Sequence, residues 1–333
     1  MSEKILDIKE ERLSFFTPAG EVKALNGVSF TMNQGDVLGV VGESGSGKSV
    51  TAYSVMGLTA YPGKLVGGKV WFNGHEIENM KEKDFRKIRG NEVSIIFQDP
   101  MTSLNPVYTI GNQIVEVIRL HTDKNKADAW ARAKELLELV GINEPEKRLK
   151  QYPHELSGGM RQRVMIAIAL ACEPKLLIAD EPTTALDVTI QAQILELMQE
   201  LRKKLGMSII MLTRDLGVVA SMCEKNAVLY AGHIVEYGTT DEIFYQPGHE
   251  YTKGLINSIP KLNTAEHERL VPIEGTPVDL LNPPAGCPFA PRCKNCMKIC
   301  LSKMPPRTEL SDTHYTYCWL QQKAAFEKGE KAE

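Results

Sequence analysis

The chain has 333 residues, 43% of them hydrophobic and 24% charged, and a formal net charge of −3 at pH 7. This length allows a full core and more than one domain, and a nearly balanced charge without a long basic run argues against a nucleic-acid partner. No stretch reaches the roughly eighteen apolar residues of a membrane span, and the charged start MSEKILDIKEERL lacks the apolar core of an export signal, so we expect a cytosolic chain.

The elements predicted along the chain mix strands and helices. Residues 1–40 alternate apolar and polar positions before the apolar run VLGVV, which predicts an antiparallel strand region leading into a buried strand. We predict a helix over 48–60, mostly helical structure over 112–200, apolar strands at KLLIAD and MSIIML, and a hairpin at NAVLYAGHIVEYG. Proline becomes frequent after residue 260, so we place a boundary there, between residues 1–260 and an extension of residues 261–333.

The stretch GESGSGKS, residues 42–49, follows the VLGVV strand and opens the predicted helix. It fits the pattern G-x-x-x-x-G-K-[ST], in which glycines let backbone N–H groups surround phosphate oxygens, the lysine reaches the outer phosphates and the last hydroxyl binds Mg²⁺. A flexible linker is the alternative, but a linker does not fit between an apolar strand and a helix. The candidate nucleotide-binding residues are Gly42, Ser44, Gly45, Ser46, Gly47, Lys48, Ser49 and Val50.

A pair of carboxylates follows the strand KLLIAD. Asp180 ends the strand and would hold Mg²⁺ through water, and Glu181 would orient or deprotonate the attacking water. An Asp-Glu pair after a strand is more often a helix cap when it stands alone. Together with the phosphate loop, the catalytic interpretation is the stronger one.

Four cysteines occur within fourteen residues of the proline-rich extension, in GCPFAPRCKNCMKIC, and a further cysteine, Cys318, follows them. Such a cluster indicates a disulfide framework, a metal site or no special role. Disulfides are disfavoured in the cytosol, so clustered cysteines in this compartment more often bind metal.

A third motif, LSGGMRQR at residues 156–163, resembles the signature of ABC-type ATPases. A plain helix cap would explain Ser157 but not both Gly158 and Gly159, which would present another helix start to an anion. Gln98 in IIFQDP matches the Q-loop of that family, and Asp187 in TALD matches its D-loop. The resemblance covers about residues 5–260. It implies an α/β fold of the P-loop NTPase class, with a RecA-like core, an antiparallel β subdomain and a helical subdomain at about residues 100–170.

Two stretches, FQDPMTSLNPVYTIG and PGHEYTKGLINSIP, resemble the oligopeptide/dipeptide branch of ABC importers, which also contains nickel importers. That branch carries a cysteine-bearing C-terminal extension. The resemblance implies that a [4Fe–4S] cluster is bound by Cys287, Cys293, Cys300 and Cys318, with Cys296 as an extra cysteine. Zinc is the main alternative, since four thiolates suit either, although the gaps between these cysteines exceed the usual zinc spacing. Unligated thiols are the third possibility.

Arg214 and Phe16 are two further positions that would contact the nucleotide. Where the family has a switch histidine, MLTRDLGVV carries Arg214, a permanent cation that can bind phosphate but cannot accept a hydrogen bond or shuttle a proton. Arg214 would lower turnover rather than ATP binding, unless it turns outward into a surface ion pair. For the aromatic that stacks on adenine we select Phe16, because Phe15 alternates with Leu13 and is expected in the core.

The resemblance also implies how the chain works. ATP and Mg²⁺ bind the phosphate loop, with Ser49, Gln98 and Asp180 around the metal, and Glu181 positions water. Ser157, Gly158 and Gly159 act in trans on the nucleotide of a second ATPase subunit, which is a related chain or a second copy. Two membrane permease subunits and, indirectly, an external binding protein complete the transporter, so the chain would lie at the cytoplasmic face of the cell membrane.

Three functional classes were weighed. A transport ATPase for di- or oligopeptides fits best, with a nickel importer of the same family as the alternative. Soluble ABC proteins of DNA repair or translation usually carry two cassettes or a long coiled coil, and this chain has neither. A hydrolysis-impaired ATP-binding subunit is supported only by Arg214, whereas Lys48, Asp180 and Glu181 are intact.

Overall fold

The computed structural model describes residues 3–184, 186–259 and 272–327 and divides the chain into two compact units. Unit 1 comprises Met1–Leu6, Met32–Val37 and Phe72–Leu212, and unit 2 comprises Asp7–Thr31, Leu38–Trp71 and Thr213–Glu333. The boundary predicted at residue 260 lies outside the described residues. Among the described residues, no helix combines the length and the apolar content that crossing a membrane would require.

The strands are β1 Lys4–Thr17, β2 Gly20–Asn33, β3 Val37–Val41, β4 Gly63–Phe72, β5 His75–Glu76, β6 Val93–Ile96, β7 Leu176–Asp180, β8 Ser208–Thr213, β9 Lys225–Tyr230, β10 His233–Thr239, β11 Thr308–Glu309 and β12 Tyr315–Thr316. The helices are α1 Lys48–Val55, α2 Glu82–Ile88, α3 Pro100–Ser103, α4 Ile110–His121, α5 Lys126–Leu139, α6 Pro145–Arg148, α7 Gly158–Ala169, α8 Val188–Leu205, α9 Leu216–Met222, α10 Thr240–Tyr245, α11 Glu250–Asn257 and α12 Trp319–Glu327. Four short 3₁₀ turns lie at Ile77–Asn79, Pro153–Glu155, Ala290–Arg292 and Lys298–Leu301.

The sheet of unit 1 is parallel and buried. Strand β7 pairs with β6 on one side and with β8 on the other, in a register that sets Ile178 opposite Ile95 and Ile210. Every residue of β7 and β8 is buried, which explains why KLLIAD and MSIIML are continuous apolar runs rather than alternating ones. Because the carboxyl ends of parallel strands meet at one edge of a sheet, this pairing places the residues that follow β6 and β7 near each other.

Three helices of unit 1, α4, α5 and α7, begin with side-chain caps. The Thr109 side chain accepts from the Asn112 N–H at the start of α4, and the Asn125 side chain accepts from the Asp128 N–H at the start of α5. Ser157 does the same for α7. Each cap satisfies one of the N–H groups that a helix start leaves without an intrahelical partner, so the sequence fixes where these helices begin.

The core of unit 2 joins β3 to β9 in parallel, with Val41 opposite Val228. Strands β9 and β10 form the predicted hairpin, and its two turn residues, Ala231 and Gly232, both have positive φ, as the favoured two-residue turn requires. Strands β1, β2 and β4 form a second sheet in the order β2-β1-β4. Helix α1 is shorter than the predicted 48–60, because Gly57 takes a left-handed φ of 59° just beyond its end.

The extension is more ordered than its proline content predicted. Its strand β12 pairs antiparallel with β10, with Tyr315 opposite Tyr237, and β11 pairs with β12. Phe289 is 3% exposed, and its ring lies 5.3 Å from the ring of Tyr230 and 5.4 Å from that of Tyr251. The extension therefore shares a hydrophobic core with β9, β10 and α11 instead of depending on a metal alone.

Candidate functional site

The phosphate loop lies between β3 and α1, as predicted. Its glycines at 45 and 47 have φ of 78° and 107°, values that residues with a side chain rarely adopt. A Cβ at Gly47 would also lie 2.9 Å from Leu25 Cδ2 and 3.0 Å from the Ala24 carbonyl oxygen. The motif glycine at 47 is thus required both by backbone conformation and by packing.

Lys48 begins α1 and is 5% exposed. Its Nζ donates to the carbonyl oxygens of Gly42 at 2.6 Å and Glu43 at 3.1 Å. The lysine thus bridges the start of the loop and the start of the helix, and its ammonium group lies inside the loop that the motif assigns to phosphates. Ser49 and Val50 follow in the first helical turn and are half-buried.

Three residues outside the motif hold the loop in place. The Tyr251 hydroxyl accepts from the Glu43 N–H at 2.8 Å, and the Gly232 N–H donates to the Ser46 carbonyl at 2.9 Å. The Asn26 N–H in turn donates to the Gly232 carbonyl at 2.8 Å. No local sequence pattern predicts these contacts, since each joins positions that are distant along the chain.

The two carboxylates predicted to act in catalysis, both in unit 1, lie at the end of β7. Asp180 is 4% exposed, and Glu181, the next residue, has a φ of 46°, a left-handed conformation that costs free energy in a residue with a side chain. The Glu181 N–H donates to the Leu212 carbonyl at 2.9 Å, which ties this turn to β8. In the described part of the chain, the next helix, α8, has Asp187 as its N-cap residue rather than Asp180 or Glu181, which argues against the cap alternative for the Asp-Glu pair.

Gln98 contacts Glu181 directly. Its Nε2 donates to Glu181 Oε2 at 3.0 Å, and the Thr184 hydroxyl donates to the same oxygen at 3.1 Å. The two sequence-predicted catalytic side chains are therefore brought together from positions 83 residues apart. Thr184 is a further residue that the motif analysis missed, although it lies three positions beyond Glu181 in the sequence.

The signature residues start α7. The Ser157 Oγ accepts from the Met160 N–H at 3.3 Å. A Cβ at Gly159 would lie 2.9 Å from Ile190 Cγ2, whereas a Cβ at Gly158 would meet no atom within 4 Å in the described structure. Asp187, the predicted D-loop residue, caps α8 by accepting from the Ile190 N–H at 3.0 Å. Ile190 therefore contacts both the predicted signature, at Gly159, and the predicted D-loop residue, Asp187.

The two positions that carried separate predictions are both exposed. Arg214 is the first residue after β8 and precedes Asp215, which caps α9. Phe16 is 46% exposed, and the Lys64 ammonium lies 5.9 Å from its ring centroid. Phe15 is half-buried. An accessible Phe16 ring fits the stacking role assigned to it, which stays a prediction.

The four cysteines predicted as ligands line one cavity in unit 2. Cys287, Cys293, Cys300 and Cys318 surround it together with other residues that include His249 and Trp319, and the Cys287 N–H donates to the Cys300 carbonyl at 2.8 Å. Burial raises the pKa of Cys287 to about 12 and of Cys293 to about 11. Cys296 is exposed and does not line the cavity.

The geometry alone does not support a metal. All seven cysteines lie in the described ranges and each is a free thiol, which removes the disulfide alternative. Among residues 3–184, 186–259 and 272–327, no three His, Cys, Asp or Glu side chains are grouped to hold a metal ion.

Comparison with known proteins matches both parts of the chain. The family model of the ABC transporter matches residues 25–184, and that of the oligopeptide/dipeptide transporter C-terminal region matches residues 235–300. The chain is 55% identical to the oligopeptide transport ATP-binding protein OppD of Bacillus subtilis (strain 168), over 95% of this chain and 89% of that protein. It is 52% identical to the dipeptide transport ATP-binding protein DppD of the same organism, over 97% and 96%.

A solved structure shows the same fold. The dimeric, post-hydrolysis structure of the ATP-binding cassette MJ0796, bound to ADP and Pi, matches with a TM-score of 0.64 and 25% identity, covering 71% of this chain and 98% of that one. The predicted α/β fold of an ABC ATPase is thereby confirmed. With about half of its residues identical to those of two transport ATP-binding proteins along nearly its whole length, the chain belongs to the family of ATP-binding subunits of oligopeptide and dipeptide ABC transporters, whose members are ABC ATPases.

Proposed function

We propose that this chain hydrolyses ATP to drive the uptake of di- or oligopeptides across the cytoplasmic membrane. The observation that carries the proposal is that the chain has both an intact phosphate loop, with Lys48 inside it, and an intact Glu181 held by Gln98 and Thr184. The relatives are oligopeptide and dipeptide transport ATP-binding proteins, which favours peptides over nickel as the cargo.

The residues divide the chemistry between them. The inward N–H groups of the loop and the Lys48 ammonium bind the phosphates of ATP, and Ser49, Gln98 and Asp180 are the residues that would hold Mg²⁺, which would neutralise phosphate charge. Glu181 orients a water molecule and accepts its proton as the water oxygen attacks the γ-phosphorus. The bond to the bridging oxygen of ADP breaks in line. Catalysis of this kind is mainly positioning and electrostatics.

The chain has one set of motifs and therefore needs a second ATPase subunit. Ser157, Gly158 and Gly159 would close over the γ-phosphate bound by that subunit, and the open space above Gly158 suits such an approach. We expect the second subunit to be a related chain, and two permease subunits to anchor the pair at the cytoplasmic face of the membrane. An extracytoplasmic binding protein would deliver the substrate.

Reconstitution of the chain with its partner ATPase, permeases and binding protein in proteoliposomes tests the proposal. ATP supplied on the side of the ATPase subunits should drive uptake of a labelled dipeptide or oligopeptide, and Lys48→Ala in this chain should reduce uptake. Nickel uptake in place of peptide uptake would establish the alternative importer.

A slow or inactive site is the second candidate, since Arg214 stands where the family has a switch histidine. The exposed position of Arg214 directly after β8 fits a residue that faces the nucleotide as well as one that forms a surface ion pair. Arg214 supplies a fixed positive charge for phosphate, but it has no lone pair to accept a hydrogen bond from neighbouring groups. Slow turnover with normal ATP binding would indicate this candidate.

We further propose that Cys287, Cys293, Cys300 and Cys318 bind a [4Fe–4S] cluster. The support is that these four, and not Cys296, line one cavity. In such a cluster each thiolate binds a different iron, so the sulfurs stand farther apart than around a single ion. The gaps between these cysteines in the sequence exceed the usual zinc spacing, which favours a cluster over zinc.

Matched cysteine variants test the ligand set. Protein purified without oxygen should be brown, with about four iron atoms per chain. Cys293→Ser should bleach it and make the extension more sensitive to protease, while Cys296→Ser, three positions away, should leave colour and iron unchanged. Stoichiometric zinc in a colourless protein, or bleaching by Cys296→Ser, would contradict this assignment.

A further inference from the structure

The side chain of Arg292 joins the cysteine-bearing extension to the phosphate loop. Arg292 ends the 3₁₀ turn Ala290–Arg292 and directly precedes Cys293. Its side chain is only 4% exposed, and its Nη1 and Nη2 donate to the two carboxylate oxygens of Glu43, at 2.5 Å and 3.1 Å. This two-pronged geometry is the strongest form of an ion pair between side chains. Glu43 is the second residue of GESGSGKS.

The other N–H groups of Arg292 are also engaged. Nε donates to the Glu274 carbonyl at 3.0 Å, Nη2 to the Ile273 carbonyl at 3.2 Å, and Nη1 to the Tyr230 hydroxyl at 3.3 Å. A guanidinium has five N–H donors in one rigid plane, so these contacts fix its orientation. The hydrogen bonds that Arg292 donates to the Glu43 carboxylate raise the pKa of Arg292 further above its ordinary value, so the side chain stays charged.

Glu43 connects its ion pair with Arg292 to Lys48. The Glu43 N–H donates to the Tyr251 hydroxyl at 2.8 Å, and the Glu43 carbonyl accepts from Lys48 Nζ at 3.1 Å and from the Ser46 N–H at 3.2 Å. A displacement of Glu43 would therefore move the carbonyl that Lys48 contacts. Pro277 and Val278 of the extension line the same small cavity as Glu43 and Ser44, so the extension packs along this side of the loop.

The charge of Glu43 requires compensation. This residue places a carboxylate, 29% exposed, in the loop that must receive the negative phosphates of ATP. Like charges at close range repel, and the repulsion is stronger where part of the surroundings is protein rather than water. The paired Arg292 neutralises this carboxylate and fixes its position.

We propose that Arg292 is a positioning residue of the phosphate loop, through which the order of the extension around Cys293 sets the affinity for ATP. The proposal rests on the function proposed for the loop, ATP binding. Its new content is that a residue 249 positions away, outside every nucleotide-binding motif, controls the loop. Disorder at Cys293 would release Arg292, and Glu43 would then stand as an unpaired anion beside the phosphates.

A double-mutant cycle on the full chain tests whether Arg292 acts on the phosphate loop through Glu43. The readout is the affinity for a fluorescent ATP analogue. Arg292→Gln should weaken binding about tenfold, because it leaves Glu43 charged and unpaired. Glu43→Gln should change binding less than threefold, and the double variant should return to within threefold of the parent, because two amides can still form a hydrogen bond without net charge. Arg307→Gln serves as the matched control, since Arg307 lies in the extension over the Tyr315 ring and pairs with Glu309.

Each result decides between positioning and mere stability. Parental affinity in Arg292→Gln would overturn the proposal, and so would a double variant that binds ATP as weakly as Arg292→Gln, since loss of structure is not rescued by a second substitution. Lys48→Ala is measured in parallel: if it retains full affinity, the phosphate-loop function itself fails, independently of Arg292.

The second step is tested with Cys293→Ser in two backgrounds. In the parent this change should weaken ATP binding about fivefold while some binding remains. In the Glu43→Gln/Arg292→Gln background it should have no further effect, because the connection to the loop is already removed. An equal loss in both backgrounds, or no loss in the parent, would overturn the link between the extension and the loop.

Discussion

Replacing Glu181 by glutamine should remove the proposed catalytic base without changing the fold around it. Glu181 Oε2 accepts hydrogen bonds from Gln98 Nε2 at 3.0 Å and from Thr184 Oγ1 at 3.1 Å. A glutamine has the same shape, and its Oε1 can accept both bonds if it occupies the position of Oε2. The free-energy cost of the left-handed backbone at this residue should also stay the same, since glutamine and glutamate have the same backbone preferences. We therefore expect a folded protein that binds ATP normally.

The loss should appear in the chemical step. A positioned general base contributes about 10²–10⁴-fold to the rate, which corresponds to about 3–5 kcal/mol of barrier. Glu181→Gln should lower phosphate release by this factor in the presence of the partner ATPase and Mg²⁺. Because ATP is bound but not consumed, the two subunits should remain together with nucleotide between them, and size-exclusion chromatography with ATP should show the complex.

Glu196→Gln provides the control, since it makes the same chemical change at an exposed position on α8 in the same unit. It should hydrolyse ATP at the parental rate. If Glu181→Gln also keeps that rate, Glu181 is not the base. If it loses ATP binding together with hydrolysis, the two hydrogen bonds to Oε2 serve the fold and the reasoning above is wrong.

Two further predictions concern Arg214 and Glu242, a carboxylate that accepts hydrogen bonds from Ser311 and Thr313 of the extension. Arg214→His should raise the hydrolysis rate with less than a threefold change in ATP affinity, because it restores a side chain that both donates and accepts; an unchanged or lower rate would mean that Arg214 is already a working substitute or lies outside the site. Burial raises the pKa of Glu242, but hydrogen bonds from Ser311, Thr239 and Thr313 outweigh it and lower the pKa to about 2. Since the folded pKa is depressed, the stabilisation by Glu242 is fully present above its ordinary pKa and is lost as the pH falls toward 2. Glu242→Gln should therefore lower the melting temperature at pH 7 and differ progressively less from the parent below pH 4, and a constant difference between pH 7 and pH 3 would contradict this assignment.

The parts of the site that could be predicted from sequence are those encoded by neighbouring residues. The phosphate loop was predictable because its glycines, lysine and serine act within eight consecutive positions, next to an apolar strand. The β9–β10 hairpin was predictable because alternation and turn residues are local signals. The ends of helices were less certain, and α1 stopped five residues earlier than predicted, at Val55.

The contacts that escaped prediction join distant positions. Arg292 reaches Glu43 across 249 residues, and Tyr251 reaches the same residue across 208. No spacing rule connects such pairs, since a single sequence without covariation carries no signal for them. The order of the extension was missed for a related reason: proline excludes helices and interior ladder strands, but it does not prevent Phe289 and β12 from completing a core that other segments supply.

Gly158 shows a different kind of constraint. The fold explains Gly159, whose Cβ would collide with Ile190, but no described atom of the chain occupies the space where a Cβ of Gly158 would stand, and its φ is not among the positive values. The role proposed for Gly158, closing over the nucleotide of a second subunit, would account for a glycine at this position. Gly158→Ala should then leave the melting temperature, the ATP affinity and the protease resistance of the isolated chain at parental values. Its defect should appear only when the chain assembles with a second ATPase subunit. Screens that score single subunits would classify such an allele as silent, although in the cell it would behave as a loss of transport.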